Sequence, residues 1–137
     1  MDRTISISLP VRDLALSTRF YEALGAANDS AFTDETAAMM RFSPHIVVML
    51  LTHARYAGFT QRAIPDAHRT AQMALGISQP SRAAVDEAVI RAAAIGGTAD
   101  VNPAEDHGFM YSRSVADPDG HIWEPVWMEM AAAPQDA

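Results

Sequence analysis

Cysteine is absent from this chain of 137 residues. That removes disulfides, thiolate-held metals and cysteine nucleophiles at once. Positive charge is scarce: 10 basic residues stand against 17 acidic ones, for a formal net charge of −7. Nucleic acid and anionic membrane surfaces both call for a basic patch, so neither is an expected partner. No apolar run approaches the roughly 20 residues that span a bilayer. The opening "MDRTISISLP" has no apolar core of a secretory signal, and a cytoplasmic location is the expectation. No glycine-rich phosphate loop supports nucleotide binding. Ser6 and Ser114 have no Ser–His–Asp arrangement around them that would make a nucleophile.

What remains is an ordinary globular balance, 49% hydrophobic and 20% charged. It is enough apolar material for the core of one compact domain. "TISISLP" (4–10) alternates polar and apolar residues as a strand does. "RDLALSTRFYEALGA" then reads as a helix, with Asp13 as N-cap, Leu14, Ser17, Phe20, Tyr21 and Leu24 on one face, and Gly25 as the stop. Residues 30–53 carry three short strands, punctuated at Asp34-Glu35 and Ser43-Pro44-His45. The last of these, "HIVVMLLT", is apolar on both faces. Residues 53–68, broken by Gly58 and Pro65, read as a loop able to cover something.

The pattern then returns. "TAQMALGIS" is a strand, and "SRAAVDEAVIRAAAIGG" a helix capped by Ser81, facing inward with Val85, Ala88, Val89, Ala92 and Ile95 and stopped by Gly96. "TADVNPAED" and "GFMYSRSVA" supply two strands, "DPDG" a type I turn, and "HIWEPVWME" the last strand. "ISLPVR" (7–12) is echoed by "ISQPSR" (77–82), and "ALG" (23–25) by "AIG" (94–96). A fixed-offset repeat implies two copies of one strand–helix–three-strand unit. Module one covers about 4–52, the connecting loop 53–68, module two about 69–129, and 130–137 form a frayed tail of the same single domain. Each unit alone has a sheet face without cover, so two sheets curling together around a cleft are expected.

"LPVRDLALSTRFYEALG" and "ADPDGHIWEPVW" resemble the vicinal oxygen chelate superfamily, which includes glyoxalase I, extradiol dioxygenases, and fosfomycin and bleomycin resistance proteins. The resemblance covers about residues 4–129. It implies an α+β fold of paired βαβββ modules with curved sheets around a cleft, and a homodimer. It also implies that Glu124, after DPDG, is the last of a set of metal ligands. Here the sequence departs from the pattern. The first-strand ligand, usually histidine, is Ser6, followed by Ser8 on the same face. The place on "HIVVMLLT" falls on Leu50, or on Val48 or Thr52. The second module's first strand offers Gln72, or Ala74 if the register slips. Serine and glutamine are weak ligands, leucine is none, and one carboxylate does not hold a catalytic ion that needs about three protein ligands. No cofactor is therefore expected, and a divalent metal, bound at Glu124 if at all, is disfavoured.

Five histidines are available to rebuild such a site. His121 and Glu124 are three apart, which on a strand means opposite faces; His121 is expected beside the turn, facing solvent. His45 opens a strand, and His53 and His68 bracket the loop. His107, Phe109, Tyr111 and Arg113 share a strand face. That face is either a surface stripe or a pocket wall carrying a titratable imidazole. In the second case His107 and Glu124 form an acid/base couple. Met39, Met40, Met49, Met73, Met110, Met128 and Met130 fill core gaps, or soften a ligand pocket. Trp123 and Trp127 face away from Glu124, toward the second helix or a partner subunit.

Two functions follow as expectations. One is a metal-independent module binding a small organic molecule at Ser6, Ser8, Leu50, Gln72, Phe109 and Tyr111, with Glu124 accepting hydrogen bonds. The other is a metal-dependent lyase, isomerase or ring-cleaving dioxygenase with a remodelled site.

Overall fold

The computed structural model describes residues 1–132. The first module runs β1 (Ile5–Val11), α1 (Leu14–Leu24), β2 (Ala27–Asp29), β3 (Ala37–Ser43) and β4 (Ile46–Thr52). Its sheet has the order β1-β4-β3-β2, with β1 parallel to β4 and the other pairs antiparallel. The expected caps form: the Asp13 side chain accepts from the Leu16 N–H at 3.0 Å, and Gly25 closes the helix at φ 119°. The first of the three strands expected in 30–53 lies earlier, at 27–29. The Asp29 carboxylate accepts from the Ala31 N–H and caps a 3₁₀ turn over Ser30–Phe32 instead.

The connection holds a short helix, α2 (His53–Ala57), where a loop is expected. The Thr52 hydroxyl accepts from the Arg55 N–H and starts it; Gly58 ends it. The strap that follows runs to Met73, five residues past the expected boundary, because Thr70–Met73 find no strand partner. The second module then runs β5 (Ala74–Ser78), α3 (Arg82–Ala93), β6 (Thr98–Ala99), β7 (Glu105–Asp106), β8 (Met110–Ser112), β9 (Val115–Ala116) and β10 (Ile122–Met128). β5 lies parallel to β10 as β1 does to β4. β8 and β9 pair with successive stretches of β10, and β7 and β6 pair with them in turn. Each of the two expected middle strands is thus broken in two. Pro125 supplies one cause: it cannot donate to the ladder, and the break at Arg113–Ser114 lies opposite it. Of the tail, Met130–Ala132 form a 3₁₀ turn; residues 133–137 lie outside the described residues.

The fold is therefore mixed α+β with two curled sheets. One core joins the modules. Leu9, Val11, Val48 and Leu50 of the first sheet meet Phe20, Tyr21 and Leu24 of α1, Val89 and Ala92 of α3, and Ile77, Val115 and Trp123 of the second sheet. α1 and α3 pack on each other within it. It is thus the helix-bearing faces of the sheets that meet. The opposite faces, bearing Ser6 and Ser8 on one sheet and Glu124 on the other, look outward.

Candidate functional site

The DPDG turn joins the two modules. Asp117 is 1% exposed. Its carboxylate accepts from the Tyr21 hydroxyl of α1 at 2.7 Å and from the backbone N–H groups of Asp119 and His121 at 3.0 and 2.9 Å. The Trp123 indole donates to the Tyr21 oxygen at 2.9 Å. Burial pushes the Asp117 carboxyl up, against the pull of His121 and of the Tyr21 hydroxyl. Burial, then the neighbouring Asp117 charge, pushes the Tyr21 phenol well above its usual range. Asp119 accepts from the Arg12 N–H at 2.9 Å and so ties the turn to the entry of α1. His121 is not solvent-facing as expected. It is half-buried, and its Nε2 sits 2.9 Å from the Pro10 carbonyl oxygen of β1. A carbonyl only accepts, so this nitrogen carries the hydrogen.

Beside this clasp lies a pocket of about 390 Å³ at the seam between the modules. Ser8, Leu9 and Pro10 of β1 form one wall; Leu75 of β5 and Gly120, His121 and Ile122 before and within β10 form another. Tyr56 of α2 and the strap residues Pro65, Ala67 and Thr70–Met73 complete it. The strap is held down at its tip. His68 Nε2 lies 3.1 Å from the Pro118 carbonyl oxygen. A Cβ added to Gly120, at φ 97°, would stand 2.6 Å from the Ala67 carbonyl carbon and the His68 nitrogen. Only glycine lets the two backbones approach this closely.

A second hollow, about 20 Å³, opens on the other side of Pro65, Ala67 and His121. His53, His68, His121, Asp66, Asp119 and Arg12 all reach it.

The sequence profile of the Glyoxalase/Bleomycin resistance protein/Dioxygenase superfamily matches residues 3–124. The chain belongs to that superfamily. Solved structures agree on the fold. A glyoxalase-related enzyme from Fulvimarina pelagi superposes with a TM-score of 0.76 at 27% identity, covering 93% of this chain and 88% of its own. A fosfomycin resistance protein from Mesorhizobium loti gives 0.66 at 16%, covering 93% and 92%. The bleomycin resistance determinant encoded on transposon Tn5 gives 0.61 at 16%, covering 93% and 99%. No functionally curated protein matches the sequence.

The metal ligands that the resemblance implies are not brought together with Glu124 among the described residues. Glu124 is half-buried on the outward face of β10, opposite Gly76 of β5. Its carboxylate has no hydrogen-bond or ion-pair partner among the described residues. Nor does any group of three His, Asp or Glu there come close enough together to hold a metal. The three histidines of the smaller hollow do not converge either; two are taken up by the Pro10 and Pro118 carbonyls.

The other expected residues separate into two groups. Ser8 and Gln72 line the seam pocket together. Ser6 stays on the outward face, exposed. Leu50 is fully buried in the core, because it pairs with Leu9 on the helix-bearing side. Tyr111 also turns toward its helix: its hydroxyl donates to Asp86 of α3 at 2.7 Å, and Arg82 lies over its ring. His107 and Phe109 are at an exposed hairpin where Gly108, at φ 79°, separates β7 from β8. His107 faces Glu105 at 3.6 Å, not Glu124. Neither residue reaches the pocket. Sequence reasoning missed Tyr56 and placed His121 in solvent, while the covering role of the loop that ends at His68 was anticipated. The one available signal was Asp117 at the first position of a turn, where its side chain caps the backbone two and four residues on.

Proposed function

We propose that the protein binds a small organic molecule in the seam pocket and does so without a catalytic metal. The pocket carries this reading. Its volume lies at the lower end of the range for small-molecule sites, and its walls are apolar apart from a few polar side chains. The hydroxyls of Ser8 and Tyr56 and the amide of Gln72 have no hydrogen-bond partner within the described structure, so they are free to serve a ligand. Fold likeness to resistance proteins supports a binding role of this kind but names no ligand.

The test is a thermal-stability screen of the purified protein against small molecules, together with metal analysis. A ligand at about 100 times its Kd stabilises the folded state by about 2.7 kcal/mol. We expect the stabilisation to vanish in Ala71→Trp, which fills the pocket from its exposed strap, and to persist in Glu124→Gln. Stoichiometric, tightly bound divalent metal that is lost in Glu124→Gln would overturn the proposal in favour of a metal-dependent lyase, isomerase or dioxygenase.

A further inference from the structure

We infer that the molecule taken by the seam pocket is uncharged and mostly apolar, with one or two hydroxyl, carbonyl or amide groups. The inference rests on the seam pocket being the binding site. The chain carries 17 acidic and 10 basic side chains, yet no carboxylate or guanidinium lines this pocket. The nearest ones are kept apart from it. Arg12, Asp66 and Asp119 line the smaller hollow, beyond the wall that Pro65, Ala67 and His121 share between the two. Two of these are already engaged: Asp66 caps its own turn at the His68 N–H, and Asp119 holds the Arg12 N–H. At about 20 Å³ that hollow has room for about one water molecule and no ligand group.

An ionic group entering the seam pocket would therefore leave water for Leu9, Leu75 and Ile122, and the one imidazole on the wall, His121, already gives its Nε2–H to the Pro10 carbonyl. That desolvation is unfavourable unless the charge is paired. A hydroxyl or carbonyl meets a different environment. Ser8, Tyr56 and Gln72 each both donate and accept, so one neutral group can be satisfied while the rest of the molecule covers the apolar wall. Selection by charge follows from where the chain puts its ions.

The experiment compares three probes built on one ring system: 2-naphthol, 2-naphthoate and 2-naphthylmethylammonium, titrated at pH 7.5 by ligand-observed NMR and calorimetry. Wild-type protein should bind the naphthol at one saturable site, about tenfold or more tighter than either ion. Gln72 is exposed at the pocket edge, so Gln72→Glu should fold normally. It should raise the affinity for the ammonium probe about tenfold and lower that for the naphthoate. The inference is overturned if either ion binds the wild type as tightly as the naphthol, or if Gln72→Glu leaves the ammonium probe unmoved. If none of the three binds up to millimolar concentration, the pocket reading itself falls, and this inference with it.

Discussion

In the first module β3 and β4 run seven residues each without interruption, and α1 presses Phe20, Tyr21 and Leu24 onto them. In the second, β10, the counterpart of β4, also runs seven residues, but the counterpart of β3 is split into the two- and three-residue fragments β8 and β9, the outer strands β6 and β7 are two residues each, and α3 offers only Val85, Ala88, Val89 and Ala92. The broken strands are held by charge instead. Arg113 reaches Asp100 at 2.8 Å and Asp86 at 3.1 Å; Arg82 reaches Asp106 at 2.9 Å and lies over the rings of Tyr111 and Trp127. One topology is thus stabilised in two ways. Apolar packing dominates where the strands are continuous, with Arg41 of β3 adding one ion pair to Asp29 of β2 at 2.9 Å, and a denser set of polar clasps stands where Pro125 and the 100–104 loop interrupt the ladder.

The comparison breaks most sharply at the largest side chain that joins the two halves. Trp123 stands on β10 of the second module, but its ring packs against Tyr21 and Phe42 of the first, with centroids 5.6 and 5.3 Å away. Trp123→Ala should destabilise the protein by about 3–5 kcal/mol, the range for emptying a large aromatic site. Urea unfolding followed by circular dichroism measures it. If the modules were independent, the variant would unfold in two transitions with the first module unaffected; a single earlier transition is the expected result.

Much of the fold was legible in the residues, and for identifiable reasons. The period-two run of "TISIS", the caps Asp13 and Ser81, the stop at Gly25 and the echo of "ISLPVR" in "ISQPSR" are local signals, and local signals survive into the structure. The site was less legible because it is made of long-range approaches. Sequence alternation places Ser8 on the face away from Leu9, but it does not place Gln72, 64 positions further along the chain, beside it. The resemblance puts Leu50, or Val48 or Thr52, in the cleft, and strand parity alone does not say that this face is the one the helix covers. His121 looked like a turn residue because its partner, Pro10, is far off in the chain. The strand that Arg113 interrupts reads as whole in the sequence because a proline's missing donor disrupts the strand next to it, not only its own.

A smaller effect sharpens the contrast from the second module's side. Arg113 is largely covered, with 18% of its side chain exposed, and both its carboxylate partners are 45% exposed. Solvent screens such pairs, so Arg113→Met should cost only about 1 kcal/mol, well below the loss at Trp123. Hydrogen exchange should show faster opening confined to β6, β8 and β9, while β3 and β4 keep their protection. An equal loss of protection in both sheets would mean that the charged clasp serves the whole core.

The smallest expected effect is in the pH dependence, and it has opposite signs at the second module's clasps and at the buried Asp117 of the turn between the modules. Hydrogen bonds from Arg82, then from the Gly108 N–H, hold the Asp106 carboxyl at about 2, below its ordinary 3.8. Asp86 is lowered by the Tyr111 hydroxyl and Arg113, and Asp100 by Arg113. A carboxyl lowered by folding stabilises above its unfolded pKa, and that contribution is lost as the pH falls through the folded value. For Asp106 the window is about pH 4 to 2. Asp117, raised by burial, acts in reverse: its contribution is full below the unfolded pKa and declines as the pH rises through the folded one. Acid therefore loosens the second module's clasps while favouring the buried carboxyl between the modules, and the acid limb of the protein's stability should be shallower than the three paired aspartates alone would make it. Asp106→Asn isolates one of them. Measured by urea midpoints at pH 7, 4 and 3, its deficit against wild type should be largest at pH 7 and shrink steadily as acid neutralises Asp106 in the wild type. A deficit that stayed constant with pH would assign the Arg82–Asp106 contact to shape and hydrogen bonding alone, and would remove charge from the account of what holds the broken strands.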